Sequence, residues 1–223
     1  MKDRSFPLEI TAALLGQVNK AAGILRSGGI AAYPTDTVYG LGADVFNDRA
    51  VTKVFTAKKR PPSMPLPVLI AETSQLRELV EVITPTAKIL MDKYWPGGLT
   101  IVFNRAPAFH SLVLADSGKV AVRLPGHPVT LRLIQELGRP IVGTSANLHN
   151  SPAALTAAGV KKQLGDTVDF IIDGGPCPGG TESTIVDITV NPPVILREGA
   201  IATEEIRSAW LLNTGTHKPR EGQ

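Results

Sequence analysis

Leu14, Val18, Ala21, Ala22 and Leu25 recur at intervals of three and four, which lines one face of a helix, and Gly28-Gly29 stops it. A short edge strand is expected ahead of that helix, over residues 8–11. Ile30-Ala31-Ala32-Tyr33 then runs apolar without alternation, the pattern of a strand covered on both faces, and Pro34, which donates no ladder hydrogen bond, ends it. The segment beyond changes character. Thr35-Asp36-Thr37 reads as a polar turn at a strand's carboxyl end, and Gly40-Leu41-Gly42 as a tight turn where backbones approach closely. Val51, Val54 and Phe55 share a face of a helix over 49–58 with Asp48 as its cap. That helix must end before Pro61-Pro62, so it delivers Lys58-Lys59-Arg60 into a stiff loop ahead of a strand over 66–71.

The alternation continues downstream. Residues 73–80 suggest a short helix, and Thr84-Pro85 an N-cap with proline in the first turn of a helix reaching Tyr94. A strand over 99–103 and an irregular connection over 107–116 lead to a strand over 120–122 with Arg123 at its end. His127-Pro128 opens a helix carrying Val129, Leu133 and Leu137 on one face, and a short strand over 140–142 ends at Thr144-Ser145-Ala146-Asn147. A helix over 155–164, a strand over 168–172 and a glycine-proline loop over 173–180 follow. Strands over 184–188 and 194–197 flank a turn at Asn191-Pro192, and Thr203 is expected to cap a last helix. Strands alternating with helices predict an α/β protein, and the last two strands are joined too tightly to be parallel, so the sheet is mixed. The expected organisation is one domain over 1–212, a twisted mixed sheet flanked by helices, and a disordered C-terminal tail over 213–223.

Composition narrows the partners. With 223 residues, 43% of them hydrophobic, the chain can bury a large core, and a net charge of +3 permits anionic ligands without the dense basic stripe of a dedicated nucleic-acid binder. The lone Cys177 excludes an internal disulfide and a cysteine-based zinc site. No apolar run approaches the ~20 residues that span a bilayer, and MKDRSFPLEI lacks the apolar core of a signal peptide, so a cytoplasmic location is expected. His110, His127, His149 and His217 are scattered without ligand spacing, so no protein-ligated metal is expected. P-loop and dinucleotide fingerprints are missing too.

What recurs is a strand ending in a polar or cationic residue: Thr35 and Thr37, Arg123, Ser145 and Asn147, Ser183 and Thr184, Arg197, with Lys58 and Arg60 just before a strand. Open α/β sheets bind ligands at such ends, so the repetition predicts one shared cleft. Guanidinium forks suit phosphate and carboxylate, while hydroxyls and amides orient ribose, amino and carbonyl groups. Each residue taken alone has an ordinary reading. A basic cluster at a helix C-terminus is a dipole partner, and Arg197 beside Glu198 is a surface ion pair. Thr144-Ser145-Ala146-Asn147 is not a G-x-S-x-G elbow and has no histidine beside it, so acyl-enzyme chemistry is not expected.

PTDTVYGLGAD, followed by K-x-R-P and then PL-x-VLI, resembles the opening of the YrdC family of threonylcarbamoyl-AMP synthases. KVAVRLPGHP, PIVGTSANLHNSPA, GGTESTIVDI and VILREGAI resemble its later blocks, in order, across residues 10–205. The resemblance implies a single YrdC-like domain with a deep basic cleft. It also implies an enzyme that joins L-threonine, bicarbonate and ATP into threonylcarbamoyl-adenylate plus pyrophosphate, towards threonylcarbamoyl-adenosine in tRNA. Carried over residue by residue, Lys58, Arg60, Ser145 and Asn147 line the cleft as its catalytic set. Threonine binding falls on Thr35, Thr37, Arg123, the backbone of Gly143, and Ser183. ATP binding falls on Lys58, Arg60, Lys119, Ser145, Asn147, Ala153 and Arg197, with Lys119 and Ala153 acting through the main chain. Mg²⁺ is expected to arrive with ATP, and a downstream tRNA threonylcarbamoyl-transferase complex to take the product. Neither a membrane nor stable nucleic-acid binding is required.

Met64 and Leu69 stand where many members carry asparagine and histidine, so they are expected to be lining residues at most. Longer members append a C-terminal domain, and this chain reads as the short form although GTESTIVD and ILREGAI resemble the longer one. Two other classes stay open. One is an RNA-binding translation or ribosome-maturation factor using the same cleft without catalysis, for which 5% aromatic residues offer few stacking platforms. The other is a carbamoyl-transfer module of hydrogenase-maturation proteins, whose acylphosphatase-like and zinc-finger segments are missing.

Overall fold

In the computed structural model, which describes residues 10–213, helix α1 (Ala12–Arg26) begins one residue after Thr11, whose hydroxyl accepts the Leu14 N–H. The edge strand expected over 8–11 lies partly outside the described residues, and within them Thr11 is a helix cap. Helix α1 buries Leu14, Val18, Ala21, Ala22 and Leu25, the stripe read from the sequence. Strand β1 (Ala31–Tyr33) is buried throughout, as its unbroken apolar run requires.

Gly40-Leu41-Gly42 is not a turn but strand β2 (Gly40–Gly42), antiparallel to β1. The Tyr33 ring is the reason for the two glycines. A Cβ on Gly40 would lie 2.5 Å from one ring edge and a Cβ on Gly42 2.6 Å from the other. The ring cannot move aside, because Tyr33 is fully buried and its hydroxyl donates to the Val142 carbonyl at 2.7 Å.

Helix α2 (Asp48–Lys58) is capped by Asn47, not by Asp48 as expected. Asn47 accepts the Ala50 N–H, while Asp48 occupies the first turn and accepts the Leu112 N–H at 3.3 Å. β3 (Val68–Leu69), α3 (Leu76–Leu79), α4 (Pro85–Tyr94), β4 (Leu99–Asn104), β5 (Lys119–Arg123) and α5 (Pro128–Leu137) follow. Then come β6 (Ile141–Val142), β7 (Thr144–Ser145), α6 (Ala157–Leu164), β8 (Phe170–Ile171), β9 (Thr184–Asp187), β10 (Val194–Arg197) and α7 (Thr203–Asn213). Thr203 does not cap α7. It is the helix's first residue, and its N–H and hydroxyl both donate to the Glu198 carboxylate. Of the tail expected over 213–223, all but Asn213 lies outside the described residues. No helix among the described residues is long and apolar enough to cross a membrane.

The strands form two mixed sheets where one was expected, a four-stranded β7-β2-β1-β8 and a six-stranded β10-β9-β4-β5-β3-β6. Parallel pairs join β1 to β8, β3 to β5 and β4 to β9, and the remaining pairs are antiparallel. Gly143 makes the division. Val142 ends β6 in the large sheet, Thr144 begins β7 in the small one, and between them the Gly143 N–H donates to the Pro67 carbonyl at 2.8 Å. The Leu69 side chain packs so closely that a Cβ on Gly143 would meet it at 2.5 Å. The residues that follow Gly143 are therefore carried out of one sheet and into the mouth between the two.

Gly40→Ala is expected to destabilise the protein by about 1–3 kcal/mol, the range for forcing a methyl into a packed core. Denaturant titration checks this, and an unchanged midpoint would mean that Tyr33 yields.

Candidate functional site

Helix α2 ends at a left-handed residue, Lys59 with φ +52°, and this reversal separates its two flanking cations. Arg60 turns outward into the proline loop, where its guanidinium donates to the carbonyls of Met64 and Pro65. Lys58 turns inward and is 2% exposed. Its ammonium donates to the Ser145 carbonyl, to the Asn147 carbonyl at 2.8 Å and to Asn147 Oδ1 at 3.1 Å. An ammonium has three N–H donors, so the loop after β7 consumes them all. Lys58 thus lines the cavity as a charge whose donors are held by the loop in the ligand-free protein. Asn147 is a brace as well: its oxygen holds Lys58 and its amide nitrogen donates to the Ser151 carbonyl.

A cavity of about 780 Å³ opens beside this clasp. Lys58, Arg60, Lys119, Gly143, Ser145, Asn147, Ala153, Ser183 and Arg197 all line it, so residues from five separate stretches of chain meet there. Arg197 reaches it by a bulge. Ile195 pairs with Val186 and Arg197 with the adjacent Ile185, so Leu196 is an extra residue that re-aims the arginine. Its fork holds the Ser183 carbonyl through Nε and Nη2 at 3.1 and 2.8 Å. Arg197 is not paired with its neighbour Glu198, as its ordinary reading would have it, but with Glu182 at 2.7 Å.

The lining carries both signs of charge. Four cations, Lys58, Arg60, Lys119 and Arg197, face three carboxylates, Glu182, Asp187 and Glu198. Lys119 is bonded to Asp187 at 2.8 Å, and Thr189 gives that carboxylate two more hydrogen bonds. Burial pushes the Asp187 carboxyl up, but these partners outweigh it and hold it below the usual range. Glu182 and Asp187 were not singled out in the sequence, Glu198 was read only as a partner for Arg197, and His149 only as a scattered histidine, yet all four line the cavity. Glu182 carried a signal, since it directly precedes the predicted Ser183.

Thr35, Thr37 and Arg123 do not line the cavity but lie buried behind it, at 3%, 2% and 6% exposure. Thr35 closes the β1–β2 turn. Its hydroxyl donates to the Val38 carbonyl, accepts the Thr37 and Val38 N–H groups and lies 2.9 Å from the Thr37 hydroxyl, so in the ligand-free protein it serves the turn. Arg123 donates to Asp36 at 2.6 Å, Thr37 Oγ1 at 2.9 Å and the Gly97 carbonyl at 2.9 Å. This layer backs the wall directly, because Gly180 of the lining donates its N–H to the Thr37 carbonyl. Met64 and Leu69 do not line the cavity: Met64 is exposed, and Leu69 is buried beneath Gly143.

Fold and site together define an α/β protein of two mixed sheets with a cavity lined by both cations and carboxylates. The chain belongs to the Sua5/YciO/YrdC family, whose model, described as "Telomere recombination", matches residues 23–199. It is 43% identical over 193 residues to a threonylcarbamoyl-AMP synthase of Bacillus subtilis, covering 86% of this chain and 56% of that one. It is 40% identical over 190 residues to the Pyrococcus abyssi enzyme of the same name, covering 85% of this chain and 56% of that one. It therefore spans little more than half the length of those two relatives. The crystal structure of P. abyssi Sua5 complexed with L-threonine superposes with a TM-score of 0.84 over 86% of this chain and 56% of that chain, at 40% identity. Escherichia coli YciO superposes at 0.74 over 82% of this chain and 88% of its own, at 29% identity.

Burial, reinforced by the like charge of Arg60 and only partly offset by Glu182, lowers the Lys58 ammonium to about 8. It therefore loses its proton near pH 8 in the ligand-free protein, and a bound anion, which favours the charged form, raises that value again. Pyrophosphate binding at about pH 8.5 is expected to take up a proton, and affinity to fall as pH rises through 8. Calorimetry in buffers of different ionisation enthalpy measures the uptake. Lys58→Arg, which stays charged, should abolish it.

Proposed function

We propose that this protein forms threonylcarbamoyl-adenylate from L-threonine, bicarbonate and ATP, releasing pyrophosphate, for threonylcarbamoyl-adenosine modification of tRNA. The observation that carries the reading is the convergence of Lys58, Arg60 and Arg197 with Gly143, Ser145 and Ser183 on one cavity. The names of the relatives and the L-threonine complex of P. abyssi Sua5 support it.

The chemistry asks for orientation and charge stabilisation rather than a covalent nucleophile. Threonine's amine adds to bicarbonate and water leaves, giving a carbamate. A carbamate oxygen then attacks the α-phosphorus of ATP, and the bond to the bridging oxygen breaks as pyrophosphate departs. Holding the labile carbamate against the α-phosphate lowers the barrier by pre-paid entropy. Charge grows on the α-phosphate oxygens and the leaving group, where Arg60 and Arg197 are placed to receive it. Lys58 adds a third positive charge through the Ser145–Asn147 loop.

Ser145, with the main chain near Lys119 and Ala153, orients the nucleotide in this reading, while Ser183 and the Gly143 backbone meet threonine at the wall. Arg123, with two of its five N–H donors uncommitted, takes threonine's carboxylate, backed by Thr37. Mg²⁺ would arrive bound to ATP, with Asp187 held by Lys119 and Glu198 by Thr203 in the ligand-free site. It supplies Lewis-acid neutralisation of phosphate charge when bound. In this reading the reaction takes place in the cytoplasm, ahead of a complex that transfers the group to tRNA.

Incubation with ATP, threonine and bicarbonate should release pyrophosphate only when all three are present. Arg60→Ala should reduce that release by at least about tenfold with an unchanged melting temperature, since its guanidinium bonds only two carbonyls of its own exposed loop. Retained turnover would remove Arg60 from the reaction.

Arg123→Lys should weaken threonine binding by about 1.5–3 kcal/mol, because an ammonium does not reproduce a planar fork on a carboxylate, and should leave nucleotide affinity unchanged. Calorimetric titration of each ligand separates the outcomes. A lower melting temperature with unaltered threonine affinity would make Arg123 a structural partner of Asp36 alone.

A further inference from the structure

The ion pairs around the cavity are not equal. Asp36 and Arg123 are buried, at 9% and 7% side-chain exposure, and share their environment with Thr37 and the Gly126 N–H, so that pair is fixed. Lys119–Asp187 has one buried partner, locked further by Thr189. Glu182–Arg197 differs, with both side chains more than a third exposed, 36% and 39%, and both lining the cavity. An ion pair so accessible to water is weak.

Its two ends are also held differently. Arg197 remains anchored without Glu182, because Nε and Nη2 stay on the Ser183 carbonyl and Nη2 also reaches Ser183 Oγ at 3.3 Å. Ser183 Oγ is itself tied to Thr100 Oγ1 at 2.8 Å. The Glu182 backbone is pinned by the Ala200 N–H at 2.8 Å, while its carboxylate bonds Arg197 Nη1 through Oε2. Removal of the carboxylate therefore leaves a positioned guanidinium with a vacated N–H aimed into the cavity.

We propose that Glu182 is an exchangeable counter-ion, which holds Arg197 in the ligand-free site and yields it to phosphate oxygens, so that it sets how tightly the cavity retains pyrophosphate. The inference rests on the reading above that this cavity takes phosphate. Glu182 is placed to feel the whole cluster: its charge raises the proton affinity of both Lys58 and Arg60, while Arg197 lowers that of Arg60. The other two lining carboxylates are bound elsewhere, Asp187 on Lys119 and Glu198 on Thr203 at the start of α7. An arriving pyrophosphate must outcompete Glu182 and tolerate its displaced charge. The same carboxylate, returning to Arg197, speeds pyrophosphate release.

Glu182→Gln keeps the shape and removes the charge. Titration of inorganic pyrophosphate into the wild-type chain and this variant should show roughly three- to tenfold tighter binding to the variant, as expected for loss of one half-exposed competing anion. In an Arg197→Ala background the same substitution should change affinity by no more than about twofold, because the contested partner is gone. Glu182→Asp, which keeps the charge on a shorter arm, should fall between wild type and Glu182→Gln. Unchanged or weaker pyrophosphate binding to Glu182→Gln, at an unchanged melting temperature, overturns the exchange while leaving the phosphate cavity standing. An equal gain with and without Arg197 also overturns it, since the effect is then general charge relief. If pyrophosphate binds neither the wild type nor the variant, the phosphate reading falls and the inference with it.

Discussion

A buried ammonium without carbonyls around it would not be tolerated, and the rest of the site is arranged around that constraint. Lys58 is almost fully buried at the end of α2, so its charge demands acceptors, and the residues that supply them are 145 and 147, at and just after the edge strand β7 of the small sheet. One side chain thereby ties the helix that brings Arg60 to the loop that brings Ser145. His149 closes the clasp by donating its backbone N–H to the Lys58 carbonyl at 2.8 Å. Removing either partner of such an arrangement leaves an uncompensated polar group in the interior, which is why the clasp is rigid.

Gly143 is the second constraint, and it is geometric. Residues 141–145 serve two sheets in succession, and only a residue without a side chain fits over Leu69 at the crossing. The cavity lies at this junction. Behind it the Arg123–Asp36 pair and the Thr35 turn hold the β1–β2 connection in place. In front of it the bulge at Leu196 brings Arg197 across from the opposite edge of the large sheet. The wall is thus built in layers: a fixed, buried charge pair in the back and a water-exposed pair at the surface.

Local pattern reached a long way in this chain. The faces of α1, α2 and α5 follow from three-four spacing, and the stops at Pro34, Gly138 and the 173–180 loop follow from what proline and glycine permit. Ser145, Asn147, Ser183 and Arg197 were legible because they stand at or beside strand ends, and Lys58 and Arg60 because a helix must end ahead of Pro61-Pro62, while Lys119 and Ala153 came from the family resemblance. Asp48 was misread as a cap because Asn47 and Asp48 have similar capping power and the preceding backbone decides between them, and Thr203 because its hydroxyl is drawn to the Glu198 carboxylate five residues back, a contact no local pattern shows.

By itself the sequence determined the kind of chain, an alternation of helices and strands with cations and hydroxyls at the strand ends, because these follow from side-chain periodicity and from the backbone limits of glycine and proline. Tertiary structure alone decided what those side chains face. Gly40 and Gly42 stand in a strand whose glycines make room for the Tyr33 ring, and the chain passes from one sheet to the other at Gly143, where Leu69 leaves no room for a side chain. Thr35 and Arg123 were drawn into the interior while Glu182, far from any predicted charge partner, met Arg197 at the cavity. Ion pairs and hydrogen bonds between residues tens of positions apart leave no periodic trace, so a strand end can be read from the chain, but the partner awaiting it cannot.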